Sequence, residues 1–272
     1  MRPEDHAPRR RALVTGASSG IGAAFARELA TRGCDLVLTA RREDRLRELA
    51  AELQAAHGID AQALPDDLAD RDAPARLAAR IDERGWRIDW LINNAGYGVP
   101  GDFLASDWRT HADFIQVLMV APTQLCHLLL PGMRERGRGG IVNVASLAGL
   151  VPGTPKHTLY AAAKSYLVKF SQSLALENRD AGVNVCALCP GFTYSEFHDV
   201  TGARAKVSKL PGWMWMRADD VVRRGLDATE RGEIVHVTGG ANRAVKALFE
   251  LLPDGLALRL IARRARQFRV EK

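Results

Sequence analysis

The sequence predicts an α/β fold, a doubly wound parallel sheet of about seven strands with helices on both faces. Three observations carry that prediction. Short runs rich in β-branched residues and leucine alternate with longer segments of helical period along most of the chain. Strands separated by helices pair in parallel, because each helix carries the chain back across the sheet. A length of 272 residues, 47% hydrophobic and 26% charged, suits one large sheet and carries no signature of disorder.

Residues 12–15 read as a strand, 20–32 as a helix, 35–40 as a strand and 43–57 as a helix, so the pattern is β-α-β-α from the outset. It continues with strands near 61–64, 88–93, 141–145, 183–188 and 234–237 and helices near 72–84, 108–136, 159–180 and 218–231. Such sheets bind ligands beyond the carboxyl ends of their strands, which makes the residues after each strand the functional candidates. Residues 191–217 lack clear periodicity and are where a substrate loop belongs. Residues 1–9 read as a flexible N-terminus and 10–240 as a single domain. Residues 241–272 form a basic amphipathic extension that Pro253 and Gly255 break into two short helices.

The formal net charge of +6 is unevenly placed: +5 in residues 241–272, +2 in residues 1–11, and −1 in the body between them. A nucleic-acid face on the body would need clustered Lys and Arg, so no nucleic-acid partner is expected. In the extension Leu248, Leu251, Leu252, Leu256, Leu258, Leu260 and Ile261 lie among Arg259, Arg263, Arg264 and Arg266. That pattern fits a membrane surface, but packing on the body or on a second subunit is preferred, and a homo-oligomer is expected. Cys34, Cys126, Cys186 and Cys189 fall in apolar stretches, as small buried side chains in a reducing compartment do. Cys186 and Cys189 have redox spacing but sit inside a strand, so core packing is the reading. The charged N-terminus has no signal-peptide core and no uninterrupted apolar run reaches membrane-spanning length, so a cytoplasmic protein is expected.

Directly after the first strand comes Thr15-Gly16-Ala17-Ser18-Ser19-Gly20-Ile21-Gly22, and a helix follows. Small residues there allow a tight turn and let the backbone approach a pyrophosphate, whose charge meets the free N–H groups of the helix N-terminus. After the second strand stand Arg41 and Arg42, where a carboxylate would hold the adenosine ribose and select NAD. An arginine fork matches phosphate in geometry and charge, so Arg41, ahead of Arg42, points to the 2′-phosphate of NADP(H). Asp67 after the third strand can accept a hydrogen bond from the adenine amino group. Asn93-Asn94-Ala95-Gly96 follows the fourth strand, with small residues that permit close backbone approach.

Ser146 follows the fifth strand, and Tyr160-Ala161-Ala162-Ala163-Lys164 opens the next long helix. Tyr160 and Lys164 are four apart and share a helix face. A free tyrosine, with a pKa of about 10, is a poor base near neutrality. A lysine ammonium beside it, and the positive charge of an oxidised nicotinamide, favour the phenolate. Ser146 is placed to hydrogen-bond the substrate oxygen. A lone Tyr-x-x-x-Lys is a common helix-surface pair and gains force only from its place behind the other motifs.

With these motifs in this order, closing on Pro190-Gly191, the chain over residues 10–240 resembles the short-chain dehydrogenase/reductase family. The resemblance implies a Rossmann-type fold, NADP(H) as cofactor, and hydride transfer between the nicotinamide and a small-molecule carbonyl or alcohol substrate. It implies Tyr160 as general acid/base, Ser146 orienting substrate and Tyr160, and Lys164 holding the nicotinamide ribose while lowering the Tyr160 pKa. It further implies a backbone contact from Ile21 to the pyrophosphate, Asp67 and Leu68 at the adenine, and Pro190, Gly191, Thr193 and Ser195 at the nicotinamide end.

There are two departures. Where the family carries a catalytic Asn in the helix after the fourth strand, aligning residues 115–133 places Leu118. Leucine cannot hold the water that relays protons from the lysine to solvent, and a helix turns by about 100° per residue, so Gln116 does not fill the same spot. The Ser146-to-Tyr160 spacing of 14 is one longer than usual, which the loop 149–158 absorbs. His157, Glu196 and His198 have weak claims to chemistry, and the histidines show no metal-site spacing. The segment from Lys209 through Trp213, Met214, Trp215 and Met216 either lines an apolar pocket or packs a lid or an oligomer contact. Beside an active enzyme on an apolar carbonyl substrate, two readings remain: a weakened NADPH-binding sensor or scaffold, from Leu118, and a peripheral membrane protein, from the tail.

Overall fold

Helices cover both faces of the main sheet, and its strands are accordingly apolar on both sides. The computed structural model describes residues 9–156, 158–194 and 211–267, with side chains described to residue 263. The strands are β1 (Arg11–Thr15), β2 (Asp35–Thr39), β3 (Ala61–Ala63), β4 (Trp90–Asn93), β5 (Gly139–Val144), β6 (Val183–Cys189), β7 (Phe192–Tyr194), β8 (Trp215–Arg217) and β9 (Val235–Val237). Seven of them form one sheet in the order β3-β2-β1-β4-β5-β6-β9, every neighbouring pair parallel. β7 and β8 pair separately.

The helices are α1 (Gly20–Thr31), α2 (Glu43–His57), α3 (Ala73–Asp82), α4 (Trp108–Ile115), α5 (Ala121–Glu135), α6 (Thr158–Asn178), α7 (Ala218–Glu230), α8 (Gly240–Leu251) and α9 (Asp254–Gln267). Alternation along β1 shows how they are used. Ala12 and Val14 join Phe25 and Leu29 of α1, Leu46 and Leu53 of α2 and Leu226 of α7, whereas Leu13 joins Leu77 of α3, Leu125 and Met133 of α5 and Ala175 of α6. The order reverses between β1 and β4, so the crevice at their carboxyl ends is the place where such a sheet takes a ligand. All four cysteines are buried and unpaired.

Three expectations need correction. The segment 108–136 is not one uniform helix: Gln116–Val120 winds as a π-helix, with Ala121 N–H donating to Gln116 O. Trp108–Glu135 is long and apolar enough to cross a bilayer by length and composition, yet Phe114, Leu118, Leu125, Leu129 and Met133 are buried in the core. Residues 191–217 contain β7 and β8, each too short to show a period of two in the sequence. Arg9, read with the flexible N-terminus, is tied to the body through Gly58 O. Residues 1–8 and 195–210, with Ser195, Glu196, His198 and Lys209, lie outside the described residues, as does His157. Of α8 only Asn242 is buried, and of the described side chains of α9 only Ala257, while Leu248, Leu251, Leu256, Leu258 and Leu260 are exposed.

Candidate active site

The turn after β1 is shaped by close approach. A Cβ on Gly22 would stand 2.2 Å from Gly16 O and 2.5 Å from Asn94 Nδ2, so only glycine fits where α1 meets the turn. Thr15 Oγ1 accepts the N–H groups of Asn94 and Ala95, both at 3.0 Å, and Asn94 Nδ2 donates to Thr15 O at 2.9 Å. The ends of β1 and β4 are thereby fixed to each other across the switch point. Ser19, the N-cap of α1, makes no side-chain cap bond, and the first turn holds no acidic residue. The N–H groups at Gly20, Ile21 and Gly22 are left to an anion, which fits a pyrophosphate.

Arg42 reaches back over this turn, donating from Nη2 to Ser18 Oγ at 3.0 Å and Ser19 Oγ at 2.7 Å. Arg41 stays exposed after β2. The sequence puts Arg41 first for the 2′-phosphate, and the structure gives the contact with the phosphate turn to Arg42. Arg76 engages Asp66 at 2.7 Å and Asp70 at 2.8 Å. Asp67 is exposed, its Oδ1 accepting Ala69 N–H at 3.0 Å, and Leu68 is buried beside it.

Ser146 Oγ accepts Ala148 N–H at 3.1 Å and hydrogen-bonds Tyr160. Burial pushes the Tyr160 hydroxyl up to about 12, with the Ser146 bond pulling the other way. Lys164 is buried, donates Nζ to Val144 O at 2.7 Å and lies 5.7 Å from the centre of the Tyr160 ring. Burial pushes its ammonium down to about 8. The expected lowering of the Tyr160 pKa by Lys164 is therefore not what dominates: the lysine stands over the ring, tied to a carbonyl, and burial sets the hydroxyl.

Gly149 was not singled out by sequence, although it fixes this geometry. A Cβ there would lie 2.6 Å from Lys164 C and 2.7 Å from Lys164 O, so the turn carrying Ser146 rests directly on the α6 backbone. Leu147 N–H donates to Pro190 O at 2.9 Å, joining the same turn to the end of β6, and Thr193 Oγ1 donates to Gly191 O at 3.2 Å. Leu118, 1% exposed, packs with Ala95, Ala163 and Tyr160, and Gln116 is buried with Nε2 lacking a hydrogen-bond partner.

Beside Tyr160 lies a cavity of about 10 Å³, room for about one water, lined by the apolar Val99, Phe103, Phe114 and Leu159 and by the polar Asp102, His111 and Thr158. His111 stacks on Phe103 at 4.6 Å, and its Nε2 bonds Phe103 O at 2.8 Å. Of these, Val99 and Phe103 precede α4 and none was singled out from the sequence, although a helical count from Trp108 puts His111 and Phe114 on one side. Trp215 stacks on Tyr194 at 4.8 Å across the β7–β8 pair, while Trp213 is exposed.

A parallel sheet in this order, a turn suited to pyrophosphate at its switch point and a Ser–Tyr–Lys group at the same edge define a dinucleotide-binding oxidoreductase. A family profile described as short chain dehydrogenase matches residues 10–205. Over 263 residues the chain is 31% identical to the very-long-chain 3-oxoacyl-CoA reductase of Anas platyrhynchos, covering 95% of this chain and 80% of that one. A short-chain dehydrogenase from Sphingobium yanoikuyae in complex with NADPH superposes with a TM-score of 0.78 at 34% identity, covering 90% and 97%. The bulky-bulky ketone specific alcohol dehydrogenase from Comamonas testosteroni gives 0.73 at 29% identity, covering 90% and 95%. The chain belongs to the short-chain dehydrogenase/reductase family and is a pyridine-nucleotide-dependent oxidoreductase acting between carbonyl and alcohol groups.

Proposed function

We propose that this protein is an NADP(H)-dependent reductase of an apolar ketone or aldehyde, or the dehydrogenase of the matching alcohol, with Tyr160 as its proton donor and acceptor. The observation that carries the reading is Tyr160 bonded to Ser146, with Lys164 over its ring, beside a small cavity whose wall includes Val99, Phe103, Phe114 and Leu159. The turn 15–22, Asp67, Leu68, Asn94, Ala95, Gly96, Pro190, Gly191 and Thr193 line the sheet edge that would hold the cofactor. Arg42 and Arg41 supply the positive charge that a 2′-phosphate requires, and no carboxylate stands there to reward free ribose hydroxyls. Among solved neighbours one is a complex with NADPH and another a complex with NAD, so the NADP(H) preference rests on the arginines, while a further neighbour is described as specific for bulky-bulky ketones.

When bound, the nicotinamide supplies or takes up a hydride. Tyr160 gives its hydroxyl proton to the substrate oxygen as the carbonyl becomes an alcohol, or takes it back in the reverse direction. Burial raises the Tyr160 pKa, so the hydroxyl carries at neutral pH the proton it would donate. Ser146 orients the oxygen and Lys164 anchors the ring side. A panel of ketones, aldehydes and alcohols followed by NADPH absorbance tests this, with Tyr160→Phe as control. Turnover should fall by about 10²–10⁴-fold in that variant while cofactor affinity holds. If Tyr160→Phe kept most of its rate, the assignment would be wrong. NADPH binding without turnover across the panel would favour the sensor or scaffold reading that Leu118 motivates.

A further inference from the structure

Two helices take no part in the chemistry or in the layers around the sheet. Asn242 roots α8: its Nδ2 donates to Thr238 O at 2.7 Å, and its amide lies 2.4 Å from where Gly191 would carry a Cβ. Met216 of β8 stands 3.0 Å from the equivalent position on Gly239. The pair therefore leaves the body at the carboxyl edge of the sheet, where the nicotinamide end of the site lies.

Helical residues advance by about 100°, so Ala244, Val245, Leu248 and Leu251 fall within one arc of about 120°. All four are exposed, Leu251 by 85% and Leu248 by 54%, and Arg243 and Glu250 occupy the far side. On α9, Leu256, Leu258 and Leu260 are exposed with Arg259 and Arg263 among them. A surface helix normally turns its apolar stripe to the core, and here that stripe of α8 faces out. Trp213, exposed just before β8, adds an aromatic near the root of α8.

We propose that α8 and α9 lie on an anionic lipid bilayer, with the leucines in the boundary between headgroups and acyl chains and the basic residues against the headgroups. Charge selects lipid over a second copy. A two-fold contact pairs the same patch with itself, setting Arg243, Lys246, Arg259 and Arg263 against their own copies, with Glu250 and Asp254 as the acidic residues of these helices among the described side chains. An anionic membrane meets that charge with its opposite. The arrangement holds the open edge of the sheet beside the phase in which an apolar carbonyl compound concentrates.

The test is sedimentation of the full chain with phosphatidylcholine vesicles containing phosphatidylglycerol, against vesicles of phosphatidylcholine alone. It reads binding rather than turnover, so its failure is separate from failure of the catalytic reading. The wild type should sediment with the anionic vesicles alone. Leu248→Glu/Leu251→Glu should abolish this, and Arg259→Glu/Arg263→Glu should weaken it by at least about tenfold, since each basic residue near the surface contributes about fivefold. Both pairs are on exposed side chains, and unchanged melting temperatures establish that the variants fold. No sedimentation, equal sedimentation with neutral vesicles, or full retention by the leucine variant overturns the proposal. A fall in solution mass of the leucine variant, measured by light scattering, does so as well and assigns the face to a second copy.

Discussion

The phosphate turn and the Tyr160 pocket lie at one edge of the same sheet and are held by opposite means. The turn is knitted by directional bonds: Thr15 to Asn94 and Ala95, Asn94 back to Thr15, Arg42 to Ser18 and Ser19. The pocket is packed, with Tyr160 among Leu118, Ala163 and Tyr97, and Gly149 pressed on the α6 backbone. A hydrogen bond lost from a partly exposed net costs about 1 kcal/mol. A methyl group forced into a close contact costs about 1–3 kcal/mol and moves what it touches. The cofactor side should therefore fail by degrees and in affinity, and the pocket side abruptly and in rate.

Gly149→Ala tests the abrupt side. The added methyl must push the Ser146 turn off α6, and a displacement near 1 Å costs about a hundredfold in rate. kcat should drop by about that factor, with NADPH affinity within about threefold of wild type; a variant with unchanged kcat would show that packing at Gly149 does not position Ser146. Arg42→Ala tests the graded side. It should weaken NADPH by about tenfold, or about 1.4 kcal/mol, and leave NADH unchanged in calorimetric titration, with Arg41→Ala doing less. Equal affinities of the wild type for NADPH and NADH would remove the arginines from cofactor selection.

Leu118→Asn sharpens the comparison by putting a polar group into the packed side. If proton relay limits turnover, kcat rises by a few fold, on the order of 1 kcal/mol in barrier, at unchanged cofactor affinity. An unpartnered buried Asn costs about 1–3 kcal/mol, so melting temperature must be read alongside. A folded variant with flat kcat shows that relay is not limiting. A further test concerns the stability side of the pocket through Lys164, whose burial lowers its pKa from 10.5 to about 8. Between those values the unfolded chain binds the proton that the folded chain has released, so stability from this group rises with pH from 8 toward 10.5. The difference in unfolding free energy between wild type and Lys164→Met should grow in favour of wild type over that window, and a level difference would contradict the lowered pKa.

Local pattern explains what was legible in the sequence. Thr15 to Gly22, Asn94 and Tyr160 with Lys164 are sets of neighbours whose spacing alone fixes a turn or a helix face, and the parallel sheet follows from alternation. Leu118 was legible as a departure at a known place. Gly149 was not, because its meaning is a distance to Lys164 across a loop. His111 and Phe114 reach Tyr160 only through the packing of α4 on α6, and β7 with β8 are three residues each. The preference between Arg41 and Arg42 turns on which side chain folds back over the turn, which no local spacing decides.

Gln116–Val120 carries one residue more per turn than the helices on either side, so α4 and α5 share an axis without sharing a phase. Leu125, Leu129 and Met133 of α5 keep their stripe against the sheet, while His111 and Phe114 of α4 are set independently against Tyr160. Inserting or deleting a residue within this stretch would then re-aim His111 and Phe114, beside Tyr160, by about 100° relative to the stripe of α5.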